Sequence, residues 1–312
     1  MTKISIVTSL YKSEKYIEEF ASKIINVTKK MGVDYEIIFV NDCCPQNSLV
    51  VALKIAHKYE NIKVIDLAVN SNHHKAIMTG LKHSSGDYIF TLDVDLEEKP
   101  ELLEEFFKKI SDNKNLDLVY GRQEKRVGKN LARGFLTNIF YHIFGFLTDY
   151  KIQNQSMIRL MTKRFVDNLV KFHEYDVFLY GITSLNGFES DFIICHKPYK
   201  GSTSYTLSKR VKLAINAITS FSSKPLILIS CFGILVSFIS FIFGTYIMLK
   251  KIFLGSVISG WSSIMVSIWM VGGMIIFCLG IIAIYIAKIF IESKKRPYVV
   301  IRDKYGFGDS KE

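Results

Sequence analysis

The chain has 312 residues, a formal net charge of +11 and five cysteines. That length leaves room for one soluble domain of about 200 residues plus a membrane segment, and the positive balance suits anionic lipid headgroups and phosphorylated substrates. Adjacent Cys43 and Cys44, with scattered Cys195, Cys231 and Cys278, form neither a zinc spacing nor a disulfide framework, so reduced thiols are expected; the dispersed basic residues contain no nucleic-acid recognition module.

Met1 to Val7 enters a strand pattern directly, without a basic n-region and long apolar core, so no signal peptide is expected. Strand-like stretches at Ile4–Thr8, Glu36–Val40, Ile62–Leu67 and Tyr88–Leu92 alternate with amphipathic stretches. That alternation predicts an α/β domain with a mostly parallel sheet flanked by helices. Ligands of such sheets sit outside the carboxyl ends of the strands. The residues able to do chemistry fall there: Ser9 and Tyr11, Asn41 and Asp42, Asn70, and Asp93 with Asp95. Residues i and i+2 of a strand share a face, so Asp93 and Asp95 are expected to converge on one ion. Mg²⁺ and Mn²⁺ prefer oxygen ligands and take the remainder from water and substrate phosphates, so two carboxylates suffice to hold either on a diphosphate. His73 and His74 either line this crevice or fill a structural role; adjacent imidazoles do not by themselves converge on a metal.

Leu131 to Leu147 is dense in Phe, Leu and Ile, and reads as an amphipathic helix at a membrane interface; Thr206 to Ser222 reads as a second. The alternative is that each packs its apolar face on the domain core. Leu226–Leu249 and Ile252–Ala287 carry no charge, and each exceeds the roughly 20 helical residues needed to cross a hydrocarbon core of about 30 Å. A helical hairpin is expected, with spans at about 226–249 and 264–287 joined across Lys250 and Lys251, and with Trp261 and Trp269 as interfacial markers. Basic residues cluster before it (Lys209, Arg210, Lys212, Lys224) and after it (Lys288, Lys294, Lys295, Arg296), which places both termini in the cytoplasm by the positive-inside rule. The expected layout is a cytoplasmic domain over 1–223, a two-span hairpin over 224–290 and a cytoplasmic tail over 291–312.

The order of these signals resembles glycosyltransferase family 2, in the branch that includes dolichol-phosphate mannose synthase and bacterial polyprenyl-phosphate glucosyltransferases. The residues that carry the resemblance span nearly the whole chain. They are Ile6-Val7-Thr8-Ser9-Leu10-Tyr11, Glu36-Ile37-Ile38-Phe39-Val40-Asn41-Asp42, Gly80-Leu81, Gly86-Asp87, Asp93-Val94-Asp95-Leu96, Tyr120-Gly121-Arg122, the Gly201 to Tyr205 segment and Ser220-Phe221-Ser222. The resemblance implies a GT-A fold with an appended membrane hairpin. It implies donor-nucleotide contacts at Ser9, Tyr11, Asp42 and Asp93, a metal on Asp93 and Asp95, and acceptor-phosphate contacts at Arg122, Arg133, Thr137 and Lys209. Asp93, Asp95, Arg122 and Arg133 are its catalytic set. The implied reaction is metal-dependent, inverting transfer of a single sugar from a UDP, GDP or dTDP sugar to a polyprenyl (undecaprenyl) phosphate at the cytoplasmic membrane face. A lipid phosphate is already ionised, so no strong general base is required. A homo-oligomer is also implied.

Several positions depart from the family pattern. Ser9 stands where proline is usual, Lys12 for asparagine, Cys43-Cys44 for a glycine-serine turn, Asn72 for glycine and Glu97-Glu98-Lys99 for Gln-Asp-Pro. Arginines expected before Gly201 are replaced near Cys195 and Pro198, and Ser204 occupies a common lysine position. Arg159 and Lys200 are further candidates for the acceptor phosphate, the alternative being that they only attract anionic lipid at the membrane. Two other functions compete: a processive polysaccharide synthase, disfavoured by only two spans and no Gln-x-x-Arg-Trp motif, and a catalytically silent, membrane-anchored nucleotide-binding module.

Overall fold

The computed structural model describes residues 1–123, 155–172, 174, 175, 177, 179–185, 187–195, 219, 222–254 and 260–308. The chain divides into two units, one built around the N-terminal sheet and including residues 296–308, the other containing the two apolar helices.

In chain order the first unit contains β1 (Lys3–Leu10), α1 (Ile17–Met31), β2 (Asp34–Asn41), α2 (Ser48–Lys58), β3 (Ile62–Leu67), α3 (His73–Lys82), β4 (Tyr88–Thr91) and α4 (Leu102–Asp112). It continues with β5 (Leu118–Gln123), β6 (Gln155–Thr162), α5 (Lys163–Leu169), α6 (Leu179–Leu185) and β7 (Ser190–Cys195). The strands form one eight-stranded sheet in the order β7-β5-β6-β4-β1-β2-β3-β8, where β8 is Ile301–Tyr305. Only β6 and β8 run against the other strands. The sheet is therefore mostly parallel, as the strand-helix alternation predicts.

The local chemistry explains these elements. Apolar β1 buries Ile4, Ile6, Val7 and Leu10 completely, as expected of a strand covered on both faces. In α1 the buried stripe Ile17, Phe20, Ala21, Ile24, Val27 and Thr28 follows the helical period, and the helix stops at left-handed Gly32, whose N–H returns to the Lys29 and Thr28 carbonyls. Helix α3 lies against β1 and β2 because Gly80 has no side chain: a Cβ there would collide with Val7 and come within 3.0 Å of Val40 Cγ2. Beneath it, Glu36 is a buried carboxylate held by Lys63 Nζ (2.7 Å), Ser5 Oγ (2.5 Å) and the Ser85 N–H (2.7 Å).

Two boundaries differ from the sequence expectation in ways that matter. Strands β1 and β2 run on through Leu10 and Asn41, so Ser9 lies within a strand, while β4 ends at Thr91, before the acidic pair. The segment expected to be only a tail supplies β8, which pairs antiparallel with β3.

In the second unit, α7 (Lys224–Leu254) and α8 (Trp261–Ser293) are each long and apolar enough to cross a membrane, and none of the described residues in their candidate spans is buried. Both cover the spans expected from the sequence. The Tyr285 hydroxyl donates to the Ser222 carbonyl at 2.8 Å.

Candidate active site

The sheet reverses its direction of growth at β1: β2 and β3 follow on one side and β4 on the other. A crevice at the carboxyl ends of the strands is expected at such a point. Ser9 comes from β1, Asp93 and Asp95 from the turn after β4, and His73 from the start of α3. His73 Nδ1 lies 2.6 Å from Ser9 Oγ, and its Nε2 lies 3.4 Å from Asp93 Oδ1. Sequence reasoning left the role of His73 open; the structure places it at this switch point.

Asp93 and Asp95 are not on a strand face, because β4 has already ended. Between them sits Val94. Val94 is 5% exposed and belongs to the core cluster, so the turn is pinned by its apolar residue while both flanking carboxylates stay partly exposed. The Asp95 carboxylate accepts the Glu97 N–H at 3.1 Å, which fixes its side chain. The pair offers hard oxygen donors at the surface of a crevice, which fits Mg²⁺ or Mn²⁺.

Asp42 follows β2 and is 3% exposed. Its carboxylate accepts the Ser71 N–H at 2.6 Å and the Asn72 N–H at 3.1 Å, while Asn70 Nδ2 donates to its carbonyl at 3.1 Å. Asp42 thus ties the loop after β3 to the end of β2. Tyr11, 48% exposed, lies just past β1 with Lys12 Nζ 5.6 Å from its ring centre.

The unusual residues of these loops have structural reasons. Lys12, Cys43, Asn72 and Leu96 all have positive φ, one in each strand-end loop. Such strain in non-glycine residues concentrates at functional sites. Asn72, with φ 88 and ψ 144, holds a conformation that glycine adopts most easily. Cys44 substitutes for a turn serine: its sulfur accepts the Lys12 N–H at 3.1 Å and the Gln46 N–H at 3.4 Å, joining the first two loops. All five cysteines are free thiols, as expected.

Arg159 corrects a sequence expectation. It is fully buried in β6, opposite Thr91 of β4, and not at a lipid surface. Its guanidinium lies 4.6 Å from the Tyr180 ring centre and donates to Thr183 Oγ1 (3.2 Å) and Gln155 Oε1 (3.3 Å). Burial lowers its pKa to about 10, so it remains cationic at neutral pH. The His74 ring meets Tyr180 edge-on at 5.5 Å. Burial, with His73 and Arg159 nearby, pushes His74 down to about 3. The sequence signal for Arg159 was a single charge inside the apolar run Met157 to Met161.

Arg122 is the second-to-last residue of β5, at the same carboxyl end of the strands as the acidic pair, with its guanidinium 4.8 Å from the Phe192 ring centre. Ser9, Tyr11, Asp42, Asp93, Asp95 and Arg122 therefore all lie at the carboxyl end of the sheet. Arg133, Thr137, Lys209, Lys200, the Gly201 to Tyr205 segment and the expected interfacial helix 131–147 lie outside the described residues, as does nearly all of 206–222.

The family model described as Glycosyl transferase family 2 matches residues 5–169. A protein of Mycobacterium tuberculosis (strain CDC 1551 / Oshkosh) described as a glycosyltransferase is 40% identical over 97% of this chain and 89% of its own length. The prophage bactoprenol glucosyl transferase homolog of Escherichia coli (strain K12) is 29% identical over 96% of this chain and 98% of its own. Among solved structures, mannosyl-3-phosphoglycerate synthase from Rubrobacter xylanophilus aligns with a TM-score of 0.48 and 13% identity, over 72% of this chain and 74% of that one. With the family model covering more than half of the chain and a 40% identical relative matching along nearly all of it, the protein belongs to glycosyltransferase family 2.

Proposed function

We propose that this glycosyltransferase moves a single sugar from a nucleotide sugar to a polyprenyl phosphate at the cytoplasmic face of a membrane, with inversion and with a divalent metal. The observation that carries the reading is the joining, in one chain, of a partly exposed aspartate pair at the sheet's switch point with two membrane-length apolar helices. The bactoprenol glucosyl transferase names of relatives from Escherichia coli and Shigella phage SfV, aligned over nearly their whole length, support the lipid acceptor.

Asp93 and Asp95 would hold the metal. Among the described residues no group of three or more His, Cys, Asp or Glu is placed to hold an ion, so the remaining ligands fall to water and the donor diphosphate. When bound, the ion supplies Lewis-acid stabilisation of the departing nucleoside diphosphate. His73 holds its ring between Ser9 and Asp93 and so limits the rotation of the first carboxylate. Tyr11 offers the donor base a stacking face, and Asp42, anchored by two loop amides, keeps unused lone pairs for a base N–H. Arg122, with Arg133, Thr137 and Lys209, supplies the acceptor phosphate with cations and a hydroxyl; a guanidinium fork suits phosphate oxygens. The acceptor attacks as an anion, so catalysis rests on positioning and charge stabilisation.

Asp93→Ala and Asp95→Ala are each expected to lower sugar transfer to polyprenyl phosphate by about 10²-fold or more, with folding unchanged by circular dichroism. Wild-type rates in both variants contradict the assignment.

A further inference from the structure

Residues 294–300 join α8 to β8, which occupies the edge of the sheet beside β3. The strand pairs with β3 and is tied down on both flanks: the Ala68 N–H donates to the Val300 carbonyl at 2.9 Å, and the Phe307 ring packs edge-on against His83 at 5.8 Å.

Arg302 makes the contact with consequences for chemistry. Asp66, at the carboxyl end of β3, is 2% exposed, and a buried carboxylate is costly unless it is paired. It accepts from Asn41 Nδ2 at 2.7 Å and lies 3.3 Å from Arg302 Nη1. Because the carboxylate only accepts, Asn41 must turn its NH₂ toward it, which fixes the residue immediately before Asp42. The other guanidinium nitrogen, Nη2, donates to the Ala68 carbonyl at 3.4 Å. Ala68 begins the loop whose Ser71 and Asn72 amides hold the Asp42 carboxylate. One guanidinium thus reaches both supports of Asp42: β2 through Asp66 and Asn41, and the loop through Ala68.

We propose that Arg302 is a positioning residue for the donor-nucleotide pocket, contributed by the strand that follows the second apolar helix. The proposal rests on the reading of Asp42 as a donor contact. A merely structural Arg302, pairing a buried carboxylate, would show its loss in folding stability and leave nucleotide affinity unchanged. The positioning role requires that affinity change, and linkage requires the reverse effect, with nucleotide steadying β8.

The test uses the full chain in detergent micelles. UDP, GDP and dTDP, each with Mn²⁺, are titrated calorimetrically, and the nucleotide that binds is carried forward. Arg302→Gln is expected to raise its Kd by about tenfold, with Arg302→Lys in between. The KM for undecaprenyl phosphate stays unchanged. In the wild-type protein, hydrogen exchange of the amides of residues 298–305 slows when nucleotide and Mn²⁺ are added. This second readout needs no variant, so it holds if Arg302→Gln folds poorly. Unchanged exchange in that segment, or wild-type affinity in folded Arg302→Gln, overturns the proposal while leaving the transferase reading intact. Failure of every nucleotide to bind the folded wild-type protein overturns both.

Discussion

The Asp42 carboxylate holds the loop after β3, and in the proposed reading it also faces the donor base. Asp42→Ala removes both oxygens from the Ser71 and Asn72 amides of this part-buried loop, at a cost of about 1 kcal/mol. Steady-state kinetics should show the donor KM raised by about tenfold with acceptor KM little changed. His74 gives the site a pH dependence of stability. Enclosure holds its imidazole down to about 3, against an ordinary 6.5, so the folded form stays neutral where the unfolded chain takes up a proton. Stability is therefore full above the ordinary value and falls as pH drops through that window. Between about pH 7.5 and about pH 5.5, urea unfolding should show a loss of about 1 kcal/mol that His74→Gln removes. An identical loss in the variant would assign the effect to other groups.

At the scale of elements, what was legible depended on whether a residue's own pattern or its neighbours decided the outcome. The four strands were readable because runs such as Ile4–Val7 and Ile37–Val40 are apolar and β-branched, and these are fully buried. Their ends were less so. Asp93 and Asp95 lie in a turn pinned by buried Val94, and that burial depends on a core formed by distant segments. Asn72 was noted as replacing a glycine, and its positive φ shows why glycine suits the position. The Ser9–His73–Asp93 arrangement spans 85 positions, from 9 to 93 inclusive, and no local period encodes it. Gly80 is where α3 depends on a missing side chain: with Val7 and Val40 against it, Gly80→Ala should destabilise the domain by about 1–3 kcal/mol in denaturant unfolding, despite alanine's higher helix propensity. A neutral or stabilising result would mean that α3 moves off the sheet without penalty.

At the scale of the whole molecule, charged, alternating sequence builds the sheet unit, and the uncharged stretches build helices α7 and α8. The return of the chain to the sheet was not legible. Ile301–Tyr305 reads Ile-Arg-Asp-Lys-Tyr, mostly charged, and such a strand is compatible with a sheet edge where one side meets solvent. Only its pairing with β3 gives it that form. The polypeptide therefore completes the β3 edge of the sheet with a strand that follows both apolar helices in the chain.

The most direct test of the central claim is transfer of radiolabel from UDP, GDP and dTDP sugars to undecaprenyl phosphate by the full chain in membranes, with Mn²⁺ or Mg²⁺ and extraction into organic solvent. The account predicts organic-phase label from one donor, carried on a lipid with a single sugar and lost on addition of EDTA. A ladder of longer saccharides, or no label from any donor with protein shown to be folded and nucleotide-competent, would contradict it.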